Sequence, residues 1–410
     1  MTMVAISDGE PASAGVRAMA RIAEVEVFDV MADAEPIWRQ LEAGPHWATP
    51  FQRFDFLNSW QRQIGEAEGF RPCIAVARDA ARRPLLLLPL AVRREHGVQC
   101  ARFMGGKHTT FNAPVMTADF AAAMIRADCD TLLAGLRASP AHIDLVVLER
   151  QPARWNGLTN PLLALPTQPS VNACPLLTIA PGAVPTDYIK NSLRRFLRNK
   201  KERKLQALPG YRHLAADSDA DIARILDAFF LIKPQRMAAQ GLPNIFADPA
   251  VQGFVRAACH ARLPSGGRAV ALHALECDAE VLAIFAGMAD GQRFSTMFGT
   301  YTMSENARYS PGMVLTRNMI DHYAGQGYTG FDLGVGDDGY KYAFCKEEEA
   351  LFDGFAGLSP RGCMAAAVLS QIARAKRAIK QNPALMALAG RARGLLRQGA
   401  RTQAERQGRD

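Results

Sequence analysis

Two groups of three closely spaced strand candidates constrain this chain more than any other feature. Residues 73–77, 85–92 and 99–104 form the first group, separated by charged turns. Residues 269–277, 281–289 and 293–301 form the second, joined by Asp278-Ala279-Glu280 and Asp290-Gly291-Gln292. Short apolar runs this close together, bounded by turn residues, read as antiparallel meanders. Helix candidates precede each group, at 34–42 and 51–63 in the first half and at 187–208, 222–232 and 250–262 in the second. Phe54, Leu57, Trp60 and Ile64 recur at helical spacing, a core-facing stripe. A polar loop, a helix and a strand come after each group: 105–114, 121–136 and 143–148, then 302–310, 311–324 and 331–333. Further strands are expected at 25–30, 174–179, 211–215 and 351–358. The halves share no detectable sequence similarity, so the repetition is one of pattern. It predicts an α/β chain with mixed sheets, built as two related units around a cleft. A disordered N-terminus is expected over 1–22, a first unit over 23–172, a second over 173–360 and a basic helical tail over 361–410. Residues 151–172, rich in Pro and Asn, read as a linker or crossover.

Composition excludes several classes. The eight cysteines are scattered, with no C-x-x-C pair, and no two histidines share a ligand-like helical spacing. The expectation is a reduced thiol set and no metal site. Asp8 and Glu10 in a weakly apolar N-terminus argue against a signal peptide. The longest apolar run, 85–92, contains Pro89 and is too short to span a bilayer. A cytoplasmic location is expected, with peripheral contact at the inner membrane face left open. The formal net charge is +8, but residues 361–410 carry eleven Arg and Lys against Glu405 and Asp410, leaving residues 1–360 at −1. Basicity therefore belongs to the tail, which weighs against a nucleic-acid-binding body. In the tail, Ala365, Leu369, Ile372 and Ile379 form one apolar stripe among Arg374, Lys376, Arg377 and Lys380. After Pro383, Leu385, Leu388, Leu395 and Leu396 lie among Arg391, Arg393 and Arg397. A basic amphipathic helix pair of this kind suits an anionic membrane surface. It equally suits a solvated helix docked on the body.

Residues 294–346 hold the chemistry candidates. Gly334, Gly336 and Gly339 make a literal G-x-G-x-x-G after a strand. Asp337 and Asp338 put negative charge where a pyrophosphate would sit, and no apolar helix comes next, so a dinucleotide fingerprint is rejected. Ser310-Pro311-Gly312 is the better phosphate candidate: Ser310 suits an N-cap and Pro311 the first helical position, with Asn306 and Arg308 nearby. Asp332, Asp337, Asp338, Tyr340 and Lys341 crowd the end of a strand. A carboxylate there can take a proton from an amine, and Tyr340 can return one to a thiolate; the bland alternative is a salt-bridged turn. His108, in the Gly-Gly-Lys-His-Thr-Thr loop, is a candidate base or a structural histidine. Residues 190–204 carry eight basic side chains and one acidic, a phosphate-seeking or simply solvated helix. Arg236 is a candidate anion clamp. No G-x-S-x-G elbow, P-loop or kinase set is present.

The run Asn306-Ala307-Arg308-Tyr309-Ser310-Pro311-Gly312, then Gly327-Tyr328, then Phe331-Asp332-Leu333-Gly334-x-Gly336-Asp337-x-x-Tyr340-Lys341, resembles the CelD/BcsL family of acyltransferases in the GNAT superfamily. The basic helix at 192–205, the Arg236 segment, Phe246, the Trp60 helix and Leu88-Pro89-Leu90 also look like that family's pattern. The resemblance covers about residues 25–360. It implies two GNAT-like domains in tandem, similar to the Fem peptidoglycan aminoacyltransferases, with an acyl-CoA donor, a primary-amine acceptor and direct attack. The donor pyrophosphate would lie at 302–313, on Arg308, Ser310, Pro311 and Gly312. A backbone N–H near Met297, Phe298 and Gly299 would polarise the thioester carbonyl. His108, Asp332, Asp337, Tyr340 and Lys341 become the proton-handling candidates, and Arg236, Phe246 and Asn112 the substrate side. The loop lacks the superfamily's usual Arg/Gln-x-x-Gly-x-Gly/Ala signature. The family's acceptors include amino sugars of polysaccharide pathways, and bacterial ceramide synthases, which acylate a sphingoid base, look similar. An aminoacyl-tRNA-dependent transferase and a non-catalytic nucleotide- or polymer-binding module are the rival readings.

Overall fold

The computed structural model describes residues 19–264, 266–336 and 338–382. Asp337, nearly all of the expected disordered segment and the tail beyond residue 382 lie outside them. The chain opens with β1 (Glu24–Phe28), α1 (Met31–Ala43) and α2 (Phe54–Trp60), then the meander β2 (Arg71–Arg78), β3 (Pro84–Glu95) and β4 (Val98–Phe103). After α3 (Arg126–Ala138) come β5 (Leu145–Pro152) and β6 (Thr167–Pro169). The second half begins with β7 (Cys174–Thr178), α4 (Asn191–Phe196), β8 (Arg212–Ala216), α5 (Asp219–Ala239) and α6 (Pro249–His260). Its meander is β9 (Ala271–Glu276), β10 (Val281–Ala289) and β11 (Arg293–Tyr301). The chain ends with α7 (Pro311–Gly325), β12 (Gly330–Asp332), β13 (Glu347–Glu349), β14 (Leu351–Gly357) and α8 (Pro360–Gln381).

Two mixed sheets result, with the same plan. The first runs β1-β2-β3-β4-β5-β14-β6, with two short strands at its side. The second runs β8-β9-β10-β11-β12-β7-β13. In each, four antiparallel strands meet a fifth in parallel: β4 with β5, pairing Cys100 with Leu145, and β11 with β12, pairing Ser295 with Asp332. The next strand in each sheet comes from outside its own run of sequence. Here β14 returns from the far end of the chain to lie beside β5, and β7 precedes its sheet and lies beside β12. Repetition of pattern in the sequence is thus repetition of topology. The largest apolar cluster is continuous across both sheets. At the seam Phe56 of α2 meets Phe254 of α6 edge-on at 5.2 Å. Val251, Phe254, Val255, Ala258 and Cys259 form the buried face of α6, and each large side chain among them adds about 1.5–3 kcal/mol.

The helix expected over 121–136 is two, Ala118–Ala123 and Arg126–Ala138, and the one expected over 222–232 runs on through Lys233 and Arg236 to Ala239. Two others also change. The stretch expected as one helix over 187–208 breaks after Tyr188, and its Leu197–Glu202 turn is π-helical. The wider turn lets Glu202 reach Arg317 of α7 at 2.6 Å, while Arg194 grips Asp321 with two bonds of 2.8 Å. The helix is docked on α7. In α8, Ala365 and Leu369 pack against the first sheet as part of the expected stripe, but Ile372 and Ile379 do not. They are exposed with Met364 and Val368, because Arg374 and Arg377 tie the packed side to Gln168 and Ser170.

Candidate functional site

Strands β11 and β12 run together for three residue pairs and then part. Asp332 ends the shorter one. Its carboxylate is fully buried and accepts bonds from Arg293 Nε at 2.8 Å, Ser295 Oγ at 2.6 Å and Gly334 N at 3.0 Å, with Cys174 Sγ at 3.5 Å. Arg293 also pairs with Glu349 at 3.1 Å and lies over the Trp155 ring at 4.5 Å, tying the site to the first unit. The chain then turns through Gly334, at φ +74°. A Cβ there would stand 2.9 Å from Thr296 O, so only glycine fits without displacement.

Beyond Ser295 one edge of β11 has no strand partner. Pairing to β10 skips Met297, which forms a bulge between Thr296 and Phe298. Two carbonyls of this stretch are held by side chains from elsewhere: Thr296 O by Thr110 Oγ1 at 2.9 Å and Gly299 O by Lys233 Nζ at 3.0 Å. A cavity of about 660 Å3 fills the space between this strand and the 333–341 loop. At one end stands the start of α7. Gly312 approaches Tyr301 so closely that a Cβ would meet its ring at 3.3 Å. Arg236 stacks on the other part of the same wall, 3.3 Å from the Tyr301 ring centroid. Lys233 lies beside it in the wall, and burial and the Arg236 charge push its ammonium down.

The cavity brings together Met297, Phe298, Gly299, Ser310, Gly312, Arg236, Tyr340 and Lys341 of the expected set. Tyr340 is held as a phenol, its hydroxyl pushed up to about 12 by desolvation and by Asp338. Ser310 differs from the expected N-cap. It is left-handed, at φ +53°, and its side chain makes no capping bond; its carbonyl instead accepts from Met313 N and Val314 N.

Other expected residues sit elsewhere. Asp332 does not line this cavity or the one beside His108, and its bonds to Arg293, Ser295 and Gly334 make it an anchor rather than a base. Lys341 reaches the wall, but its ammonium is spent on the carbonyls of Gly334, Val335 and Gly336 at 3.1–3.4 Å and on Asp338 at 3.2 Å. It holds the glycine loop in shape. Arg308 points to the surface and pairs with Glu305 at 3.4 Å, and Pro311 is buried in the first turn of α7. Phe246 is core, packed on Phe229 at 5.0 Å. His108 and Asn112 line a second cavity, of about 530 Å3, on the side of the first sheet. His108 Nδ1 accepts from Trp60 Nε1 at 3.2 Å, and an indole only donates, so the imidazole proton is on Nε2. Burial and Lys107 push it down to about 4, which makes it a poor base. Asn112 is consumed by Thr109 of its own loop and by Glu149 O of β5.

Sequence reasoning passed over Thr110, Lys233, Tyr301 and Arg150. Only Lys233 had a local signal, its place one helical turn before Arg236. Thr110 and Arg150 lie in the first unit and reach the site through tertiary packing alone.

Comparison with known proteins bears on this geometry. Residues 191–342 match the acetyltransferase (GNAT) domain family. The match spans β8 to β12 and the parting of the parallel strands. The solved structure of FemX is similar in fold, with a TM-score of 0.51 at 9% identity over 80% of this chain and 96% of that one. A C-terminal domain of a putative lysylphosphatidylglycerol synthetase from Agrobacterium fabrum gives 0.48 at 11% identity, over 83% and 96%. No curated protein matches the chain. The fold is a tandem GNAT-like arrangement, in which the second sheet carries the family match.

Proposed function

We propose that the protein is an acyl-CoA-dependent N-acyltransferase of the CelD/BcsL type, acting on a primary amine of an envelope component. One observation carries this reading: the unpartnered edge of β11, from Thr296 to Tyr301, faces a cavity closed at one end by the start of α7. An edge N–H near the Met297 bulge polarises the thioester carbonyl. Lys233 and Arg236 supply positive charge for the donor phosphates beside the first turn of α7. The acceptor nitrogen attacks the carbonyl carbon, the C–S bond breaks, and the sulfur leaves as a thiolate. Tyr340, still a phenol at neutral pH, donates a hydrogen bond to that thiolate. Asp338, on the same wall, receives the proton that the nitrogen sheds, directly or through water. An alkylammonium titrates near ~10, so loss of water around the acceptor is part of the activation.

The reading extends to the inner membrane face. Met364, Val368, Ile372 and Ile379 line the exposed side of α8, with Arg361 and Lys376 on the same helix. Such a face suits an anionic bilayer. No helix among the described residues is long and apolar enough to cross one. Sedimentation with phosphatidylglycerol vesicles checks this; an Ile372→Glu variant that sediments as well as the parent chain refutes it.

The activity itself is tested by thiol release from acetyl-, octanoyl- and palmitoyl-CoA, with an amino sugar or a long-chain base present. Amine-dependent release from at least one donor is expected. Donors left intact with every amine would overturn the proposal.

A further inference from the structure

The second cavity is not used by the donor placement above, and it shares Lys107, Arg150 and Val335 with the donor cavity. It therefore adjoins the donor cavity along this wall. We propose that this cavity is the acceptor site, that it takes an amino sugar carrying an anionic group, and that Arg150 holds that group. The inference rests on the acyltransfer reading and narrows its acceptor.

The lining decides against a long-chain base. Eight of its side chains are charged: Glu68, Arg93, Glu95, Arg102, Lys107, Glu149, Arg150 and Asp353. An alkyl chain laid along them would desolvate charge with nothing in return. A sugar suits them, because its hydroxyls both donate and accept. Glu149 and Asn172 offer partners, and the Nε2–H of His108 donates.

Among the cations, Arg150 differs. Arg93 pairs with Glu68 and Glu95, Arg102 with Glu95 and Glu149, and Lys107 lies 3.9 Å from Glu68. Among the described residues Arg150 has no carboxylate within ion-pair distance. Its Nη1 donates to Lys107 O at 3.2 Å and Thr109 O at 3.3 Å, which orients the guanidinium and leaves its other donors for a ligand. The backbone is built for this. Arg150 is left-handed at φ +58°, and its N–H is held by Asp353 at 2.9 Å. Burial pushes the guanidinium down, against the opposing pull of Glu149 and Asp353. An anion at Arg150 would bring the bound sugar against the wall shared with the donor, whose strand is fixed nearby by Thr110 on Thr296 O.

Calorimetry with glucosamine 6-phosphate, glucosamine and sphinganine tests the proposal without turnover. The phosphorylated sugar should bind the wild-type chain at least tenfold more tightly than glucosamine, and Arg150→Gln should erase that difference. Arg150→Gly, which suits the left-handed backbone, should do the same and guards against a folding failure of the first variant. Equal binding of the two sugars, no binding of either, a preference that survives in both variants, or displacement of the sugar by sphinganine would each overturn it. A palmitoyl-CoA titration of the same samples separates the two readings. Donor binding without sugar binding sinks the acceptor assignment alone, and sugar binding without donor binding sinks the acyltransfer reading alone.

Discussion

Replacing Asp332 by asparagine removes one charge from a buried trio. Arg293 would keep Glu349, at 3.1 Å, but lose the carboxylate that meets its Nε at 2.8 Å. Breaking a buried pair by removing one partner costs about 3–5 kcal/mol. The remaining pair and the amide's own hydrogen bonds place this case near ~3 kcal/mol. The loss should appear in the urea midpoint with an unchanged slope. In the fraction that stays folded, the amide oxygen still accepts from Gly334 N while the amide NH2 can donate to Ser295 Oγ, so kcat should fall less than about tenfold. A general base behaves otherwise: removing it leaves stability alone and cuts kcat by about 10²–10⁴. An Asp332→Asn chain as stable as its parent and three orders of magnitude slower would refute the assignment of Asp332 as an anchor.

Three other outcomes are expected. Gly334→Ala forces a side chain into the left-handed region, at roughly 1–2 kcal/mol, and against Thr296 O; thiol release should show the donor KM rising at least tenfold, and unchanged kinetics would contradict the site. Arg236→Ala and Lys233→Ala should each weaken acyl-CoA by about tenfold while leaving the corresponding acyl-pantetheine unaffected, since the lost contact is to phosphate; equal losses on both donors would argue against it. His213 and His273, linked at 3.2 Å with His273 bonded to Tyr323 OH at 2.9 Å, are pushed down to about 4 and about 3 by burial. The unfolded chain therefore binds protons that the folded chain refuses, so stability is full above about pH 6.5 and falls as pH drops toward 4. A His273→Gln variant should flatten that slope by up to a few kcal/mol in urea titrations between pH 7.5 and 5, and a slope equal to the parent's would exclude the pair as its source.

The strands were legible because short polar turns bracket apolar runs, as Asp290-Gly291-Gln292 separates β10 from β11. The loop, helix and strand after each meander were legible as order but not as pairing. Nothing local in residues 351–357 marks them for the first sheet, because that choice depends on contacts with β5, some two hundred residues earlier. The same limit explains the site. Asp332 at a strand end looks reactive until Arg293, distant in sequence, is placed beside it. Lys341 looks free until the left-handed turns at Gly334 and Gly336 leave carbonyls that need a donor. Phe246 and His108 look available until the aromatic packing of Phe229 and the indole of Trp60 engage them. By contrast Met297, Gly299, Gly312 and Arg236, expected from the resemblance, lie together on the wall of one cavity.

Hydrogen exchange with and without palmitoyl-CoA locates the donor most directly. Slowed exchange is predicted in 296–301 at the open edge of β11 and in 310–316 at the start of α7, with 85–103 of the first meander unchanged. Protection confined to the first sheet, or none in either segment under saturating donor, would contradict the placement of the donor in the second unit.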